Sequence, residues 1–178
     1  MTNSTGNSVP THAVTNPALL GGYVYSDDEV PGVVAANNYV ALTNPVGSGK
    51  IILVAGVFIS STTNGAVTNP PPLRGYLASG VSGGTLISAS NIAKIRSTMP
   101  SPVGEIRIAN PTATLAAGWF NSPAIHSTGA ASAPFVHQVP ATIAAGSLTL
   151  LPGESTVLRT ASGDTAQEWN ISIAWSEL

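Results

Sequence analysis

Short β-type runs, separated by turns rich in Gly, Pro and Asn, recur along this chain without helical periodicity between them. No window of 11 or more residues repeats its apolar positions at the period of a helix, and the nearest candidate, 88–96, ends at TMPSP. Runs rich in Val, Ile, Thr and aromatic residues follow each other about every 8 to 14 residues, which is typical of β-sandwiches. The expected strands lie at 39–43, 50–61, 73–79, 85–89, 92–97, 105–110, 118–120, 134–139, 147–151, 156–161 and 168–176. The sequence predicts an all-β fold, a single β-sandwich or jelly-roll domain of about 8–10 antiparallel strands.

The last of these runs has the clearest alternation of apolar and polar residues. Its apolar positions are Trp169, Ile171, Ile173 and Trp175. This period of two predicts a strand with one face in the core. Turn residues at 151–155 and 161–164 bracket the preceding run, so we expect that run to form a hairpin or meander with the last strand.

The run 50–61 is the strongest strand candidate. Its consecutive residues Ile51 to Val54 are all apolar, which predicts either burial on both faces or a bulge that kinks the strand at Gly56. In both cases we expect this strand to lie centrally in its sheet.

Residues 1–20 contain no charged residue and no periodicity, but they contain Pro10 and Pro17. They predict an extended N-terminal arm that orders against a neighbour, with a disordered terminus as the alternative. The domain proper is then 21–178. The first residues show no signal-peptide pattern, and the longest apolar run, 51–59, is too short to span a bilayer. We therefore expect a protein made in the cytoplasm, without a membrane partner.

Charged residues are scarce. Asp, Glu, Lys and Arg make up 8% of the chain, against roughly 25% in ordinary soluble domains. A monomer of this size exposes about 8,000 Å², and a largely neutral exterior of that area indicates a subunit covered by other subunits. Because 1–20 and 109–153 carry no charge at all, we expect them to contact neighbours. The net charge of -2 gives no basic surface for nucleic acid.

The motifs that could carry chemistry are incomplete. The chain has no Cys, which excludes disulfides and thiolate zinc sites. GSGK at 47–50 lacks the preceding Gly, the following Ser or Thr, and the helix of a phosphate loop. GVSGG at 80–84 matches a nucleophile elbow around Ser82, but a β-type run follows where the elbow needs a helix.

The remaining titratable residues are scattered. His12, His126 and His137 lack the spacing of metal ligands. Paired carboxylates for glycoside hydrolysis stay open in principle, although aromatic residues, which line such grooves, make up only 6% of the chain. The acids concerned are Glu105, Glu154, Asp164, Glu168 and Glu177. We expect no catalytic residue, no cofactor and no metal, and hence no enzyme.

Asp27, Asp28 and Glu29 form the single run of charges. Neighbouring carboxylates rarely point the same way, and the spacing of a calcium loop is absent. The run predicts a solvated acidic loop. The functional hypothesis for it is a docking patch for basic residues of a partner. Elsewhere, Glu105 with Arg107 and Lys94 with Arg96 predict an ion-pair ladder if their strands are neighbours.

Two segments, together with the neutral arm, carry a resemblance to a known class. They are YVALTNPVGSGK at 39–50 with the apolar strand after it, and LLPGESTVLRT at 150–160 with WNISIAW at 169–175. They resemble small β-sandwich structural proteins of tailed bacteriophage particles, over 39–60 and 148–178. The resemblance implies a capsid decoration (cement) protein or another repeated virion subunit, often a homotrimer, with no catalytic residues.

From the charge pattern and the resemblance together, we expect a symmetric virion subunit that binds the major capsid protein or other virion subunits through residues 1–38. One alternative is a receptor-binding or adhesin head, such as a tail-fibre module, with specificity in the loops 62–72 and 121–134. Another is a single jelly-roll shell protein of the capsid, because shell and decoration subunits need the same fold.

Overall fold

A computed structural model describes most of the proposed domain. The described residues are 22–32, 35, 37–63, 73–120, 136–140, 142–143, 146–160, 163, 165 and 168–178. The expected arm at 1–20 lies outside them, as do most of the loop 62–72 and all of the loop 121–134.

Within these ranges the chain forms strands and one short 3-10 turn at Ala89–Asn91. The strands are β1 (Tyr23–Pro31), β2 (Asn38–Thr43), β3 (Ile52–Thr63), β4 (Leu73–Ser82), β5 (Thr85–Leu86), β6 (Ala93–Lys94), β7 (Glu105–Ile108), β8 (Thr112–Phe120), β9 (Val136–Pro140), β10 (Thr142–Ile143), β11 (Gly146–Leu150), β12 (Ser155–Thr160) and β13 (Glu168–Glu177). Ten of these described strands have four or more residues, and the other three have two.

The strands form two antiparallel sheets. The first has the order β10-β11-β3-β13-β1-β6, with β9 also paired to β3, and the second has the order β5-β7-β2-β12-β4-β8. β1 pairs with β13, β2 with β12, β3 with both β9 and β11, and β4 with β8. These pairs lie alternately in the first and second sheet, so the chain is a folded ribbon wrapped around one core. This is the jelly-roll arrangement, and it confirms the predicted fold class.

The wrapping overturns two predictions about neighbouring strands. β12 and β13 lie in different sheets, so the expected hairpin between them is wrong. The ion-pair ladder is also wrong, because β6 pairs with β1 whereas β7 pairs with β2 and β5. Turn residues mark where the chain reverses, but they do not tell whether the next strand joins the same sheet or crosses to the other one.

The core lies between the two sheets and includes both tryptophans of β13. Trp169, Ile171, Ile173 and Trp175 are each at most 2% exposed, as their alternation predicted. β3 lies centrally in the first sheet, next to β13. Its register against β13 shifts at Ala55, so the predicted bulge beside Gly56 is confirmed, whereas burial on both faces is wrong for the exposed Ala55 and Phe58.

The sandwich has two ends, which we name by their main features. At the Asn44 end, β2 stops at Thr43, β12 starts at Ser155 and the chain stops at Leu178. At the cavity end, β1 stops at Pro31 opposite Glu168, the first residue of β13.

Candidate functional site

A cavity of about 540 Å³ opens at the cavity end, between the end of β1 in the first sheet and β2 and β7 in the second. Apolar side chains, including Val30, Tyr39 and Ile108, line its interior. The predicted docking residues Asp27, Asp28 and Glu29 all lie on its lining. The structure therefore brings the acidic run to a concave, mostly apolar site, the form that ligand and partner pockets commonly take.

The acidic run lies in a strand, so its prediction as a loop is wrong. Asp27 pairs with Ile171 and Val30 pairs with Trp169, which leaves Asp28 and Glu29 opposite Asn170 alone. Such a two-against-one pairing is a β-bulge, which re-aims side chains without ending the strand. The Glu29 N–H donates to Asn170 Oδ1 at 2.9 Å. Asp28 and Glu29 remain exposed, and we call these two residues the acidic rim.

Asp27 differs from the acidic rim in having a partner in the core. The side chain of Tyr25, two residues earlier on the same face of β1, is hydrogen-bonded to Asp27. Burial of Tyr25 raises the pKa of its phenol, and the adjacent Asp27 carboxylate raises it further. At neutral pH the phenol is therefore a donor to the carboxylate, which fixes Asp27 at the mouth of the cavity.

The cavity is also where the backbone is strained. Among the described residues, the non-glycine positions with positive φ are Glu29, Ala109 and Asn110, at 54°, 57° and 60°. All three line the cavity. Left-handed backbone costs a residue with a Cβ about 1–2 kcal/mol, and such strain is concentrated at functional sites. Gly84, with φ 60°, packs so closely that a Cβ there would overlap the Ile108 carbonyl oxygen, which helps hold the 108–110 segment in place.

A second surface covers the outer face of the second sheet. Arg159 on β12 lies directly opposite Arg74 on β4, and Tyr76 lies opposite Trp119 on β8. The Arg74 guanidinium carbon is 4.8 Å from the centroid of the Trp119 ring, which is 48% exposed. Arg159 Nη1 donates to Asn38 Oδ1 at 2.8 Å. We call Arg74, Tyr76, Trp119 and Arg159 the arginine face.

The Asn44 end is built around one buried amide. Asn44 Nδ2 donates to the carbonyl oxygens of Lys50 and Leu150, each at 2.8 Å, and Asn44 Oδ1 accepts from Ser48 Oγ at 2.6 Å. Its backbone also bonds the 151–154 turn, through Gly153 and Glu154. Asn44 thus joins the two segments on which the resemblance rests.

Around that amide, apolar side chains point into solvent. Val46 is 87% exposed, and three further residues are 39% to 50% exposed. We call the four residues the apolar tip: Val46, Ile51, Leu151 and Leu178.

The other sequence motifs do not form a catalytic site in the described structure. Ser82 ends β4, and the glycines after it lead into β5 rather than a helix. Lys50 lies in the turn before β3. His137 lies on β9, whereas His12 and His126 are outside the described residues. No three His, Cys, Asp or Glu residues of the described chain are grouped so that they could hold a metal ion.

Two of the carboxylates considered for glycoside hydrolysis, Glu168 and Glu177, lie far apart. Glu168 and Glu177 lie at opposite ends of β13, about 30 Å apart along the strand. Glu177 accepts hydrogen bonds from the backbone N–H groups of Val103 and Gly104 and from Trp175 Nε1, so its role is structural. Asp164 lies outside the described residues.

Sequence reasoning missed the cavity and the arginine face. The cavity combines residues near 30 in the first sheet with residues near 108 in the second, and the packing of the two sheets brings them together. The arginine face had a weak signal, Arg74 and Tyr76 at strand spacing, but nothing local pairs Arg74 with Arg159.

Searches against protein-family models, curated proteins and solved structures found no match to this chain. Within the described residues, no helix is long and apolar enough to cross a membrane.

Proposed function

We propose that this chain is a non-enzymatic virion structural protein, a capsid decoration or cement subunit that binds the outer capsid lattice as a symmetric oligomer, most simply a homotrimer. The observation that carries the proposal is a jelly roll whose exterior presents large apolar and small neutral side chains where charges are usual. The exposed large apolar residues of the described chain are Val46, Ile51, Phe58, Leu77, Leu86, Ile95, Trp119, Leu151 and Leu178.

An exterior of this kind suits a subunit that is soluble before assembly and covered afterwards. Lys and Glu lose up to about 2 kcal/mol of side-chain entropy when they are fixed, and charged residues are depleted in interface cores. Ala, Ser, Thr and Gly lose far less. The edge strand β8 illustrates the point, because its exposed residues 116–118 are Ala, Ala and Gly beside Trp119. β8 belongs to the neutral stretch 109–153.

Electron cryo-microscopy of particles produced by the source genome tests this proposal. We expect density for a jelly roll on the outside of the capsid shell, in a copy number that follows the lattice symmetry. Density within the continuous shell would favour a shell protein instead, and absence from particles would contradict the virion role. Removal of residues 1–20 should abolish particle binding and leave the β domain folded, as circular dichroism would show.

The cavity favours one second candidate, a receptor-binding head. Its apolar interior and acidic mouth fit a ligand with an apolar body and a cationic or hydroxyl-rich group. Binding of the purified chain on a glycan array, reduced by Asp27→Asn, would favour this function. Strong particle binding without any glycan binding would favour the decoration role.

A further inference from the structure

We propose that the acidic rim of one copy of this chain binds the arginine face of a second copy, and that this contact joins the subunits of the oligomer on which the proposed function rests. The acidic rim is Asp28 and Glu29. The arginine face is Arg74, Tyr76, Trp119 and Arg159.

Among the described residues, no carboxylate is hydrogen-bonded or ion-paired to the arginine face. Arg74 and Arg159 are cross-strand partners, and directly opposed like charges are destabilising. Arg74 Nε is buried without a hydrogen-bond partner in the described structure. Glu105 is on the same face, but it pairs at Thr43, whereas Arg159 pairs at Asn38. Five residues along β2 separate these positions by about 16 Å. A carboxylate from outside would remove the repulsion between the two guanidinium groups.

The aromatic side chains make this face a suitable centre for a protein contact. Trp, Tyr and Arg are the residues most enriched at the energetic centres of interfaces. Trp119 already lies against Arg74, so its ring holds the guanidinium in position. Ala116, Ala117 and Gly118 next to it are exposed and small, which lets another backbone approach closely.

The acidic rim offers the matching charges in a fixed position. Asp28 and Glu29 are exposed, and in the described structure neither carboxylate has a hydrogen-bond or ion-pair partner. The bulge and the bond from the Glu29 N–H to Asn170 Oδ1 hold their backbone. A preformed backbone loses less entropy on binding. Asp27 is not part of this contact, because it is bonded to Tyr25.

Both surfaces lie at the cavity end, on adjoining sides of it. Arg159 donates to Asn38 Oδ1, and the Asn38 N–H donates to Asn110 Oδ1 at 3.3 Å, so two asparagines connect the arginine face to the cavity wall. A rotation axis that passes near this end therefore carries the acidic rim of one copy onto the arginine face of the next. Repetition of that rotation gives a closed ring, or a two-fold pair with two such contacts.

The charges of the two surfaces favour a second copy of this chain as the binding partner. In a chain with 8% charged residues, two free carboxylates and two opposed arginines at the same end form a complementary set. Such a contact strengthens at low salt, because the screening length is about 10 Å at 0.1 M and grows as salt is removed.

Sedimentation velocity of the full chain over a dilution series tests the contact. Arg74→Glu and Asp28→Lys should each raise the dissociation constant of self-association at least about tenfold. The double variant D28K/R74E, which restores opposite charges with reversed sign, should return to within about threefold of the wild type. Arg96→Glu is the matched control: it makes the same charge change at an exposed site in the bend after β6, and self-association should not change.

Arg74→Glu also removes the contact with Trp119, so near-ultraviolet circular dichroism must show an intact fold. Asp28→Lys has no such effect, because Asp28 is exposed on the bulge. A monomeric wild type, or a double variant that stays as weak as the single ones, would overturn the proposal. The proposal would also be overturned if the single variants self-associated normally but lost particle binding. That result would show that the mutated surfaces contact another virion protein. Failure of the virion role itself would appear as absence from particles, with the charge-swap result unaffected.

Discussion

The two ends of the jelly roll hold their turns in different ways. At the Asn44 end a buried amide and a set of direct hydrogen bonds fix the turns, and four large apolar side chains reach solvent beside the exposed Glu154. At the cavity end the backbone takes left-handed conformations at Glu29, Ala109 and Asn110, a bulge interrupts β1, and carboxylates reach solvent. The first end is relaxed and well bonded, and the second is strained around a cavity. The first end is therefore the better bonded of the two, and the second is the end to which we assign the proposed binding role.

The largest effect expected from this contrast is at Asn44. Asn44→Ala removes the side-chain donor of the Leu150 carbonyl and leaves the Lys50 carbonyl only the long 3.5 Å bond from Ser48 Oγ, and each unsatisfied buried group costs about 1–3 kcal/mol. We expect a loss of about 3 kcal/mol in the free energy of unfolding, measured by urea denaturation.

Asn38→Ala at the cavity end is the comparison for Asn44→Ala. Asn38 Nδ2 donates to the Pro111 carbonyl, and Asn38 Oδ1 accepts from Arg159, which reaches solvent when released. We expect a smaller loss of about 1–2 kcal/mol. An equal or greater loss for Asn38→Ala would contradict the assignment of the better-secured turns to the Asn44 end.

Glu177 gives the next largest effect, also at the Asn44 end. Glu177→Gln replaces a carboxylate that accepts from Val103, Gly104 and Trp175 with an amide, whose NH₂ group opposes those donors. Hydrogen bonds to charged groups contribute about 1.5–3 kcal/mol, so we expect thermal denaturation to show a loss of about 2 kcal/mol. Glu154→Gln is the control, because Glu154 is exposed and its Oε2 accepts only the Leu151 N–H among the described contacts. If Glu154→Gln lowers the free energy of unfolding as much as Glu177→Gln does, the hydrogen bonds to Glu177 are not the cause of the loss.

The two ends differ in how much of their structure the sequence predicted. The alternation from Trp169 to Trp175 predicted β13, and Gly56 marked the bulge in β3. β1 was missed because its second half, Ser26 to Glu29, is polar without alternation, and the bulge that accommodates it depends on Asn170 in a distant strand. The acidic run was predicted as a docking candidate, but not its cavity, since the wall at 108–110 comes from β7 through pairing that no local pattern encodes.

A smaller effect, with a pH dependence, is expected at Tyr25. Its ordinary pKa of 10.0 is raised in the folded protein by burial and then by Asp27. A raised pKa means that the neutral phenol stabilises the fold below pH 10, and this contribution is lost as the pH rises above 10 through the folded-state value. Tyr25→Phe should cost about 1 kcal/mol at pH 7 through the lost hydrogen bond to Asp27, and should lose less stability than wild type above pH 10.

The measurement for Tyr25 is urea denaturation between pH 7 and pH 11. Tyr23, whose pKa burial and then Glu177 raise, titrates in both proteins and serves as the internal reference. Identical alkaline losses in both proteins would show that Tyr25 is not held by Asp27.

The smallest effect tests the strain directly. Ala109→Gly places glycine at φ 57°, where an alanine Cβ is unfavourable, so despite the greater freedom of the unfolded chain we expect a gain of about 0.5 kcal/mol. Ala113→Gly, in β8 at a position whose φ is not positive, is the matched control and should lose about 0.5–1 kcal/mol. If the free energy of unfolding rises for Ala109→Gly and falls for Ala113→Gly, the backbone at the cavity wall is strained. A loss at both positions, measured by urea denaturation, would mean that the 108–110 segment is relaxed and that the two ends do not differ in backbone strain.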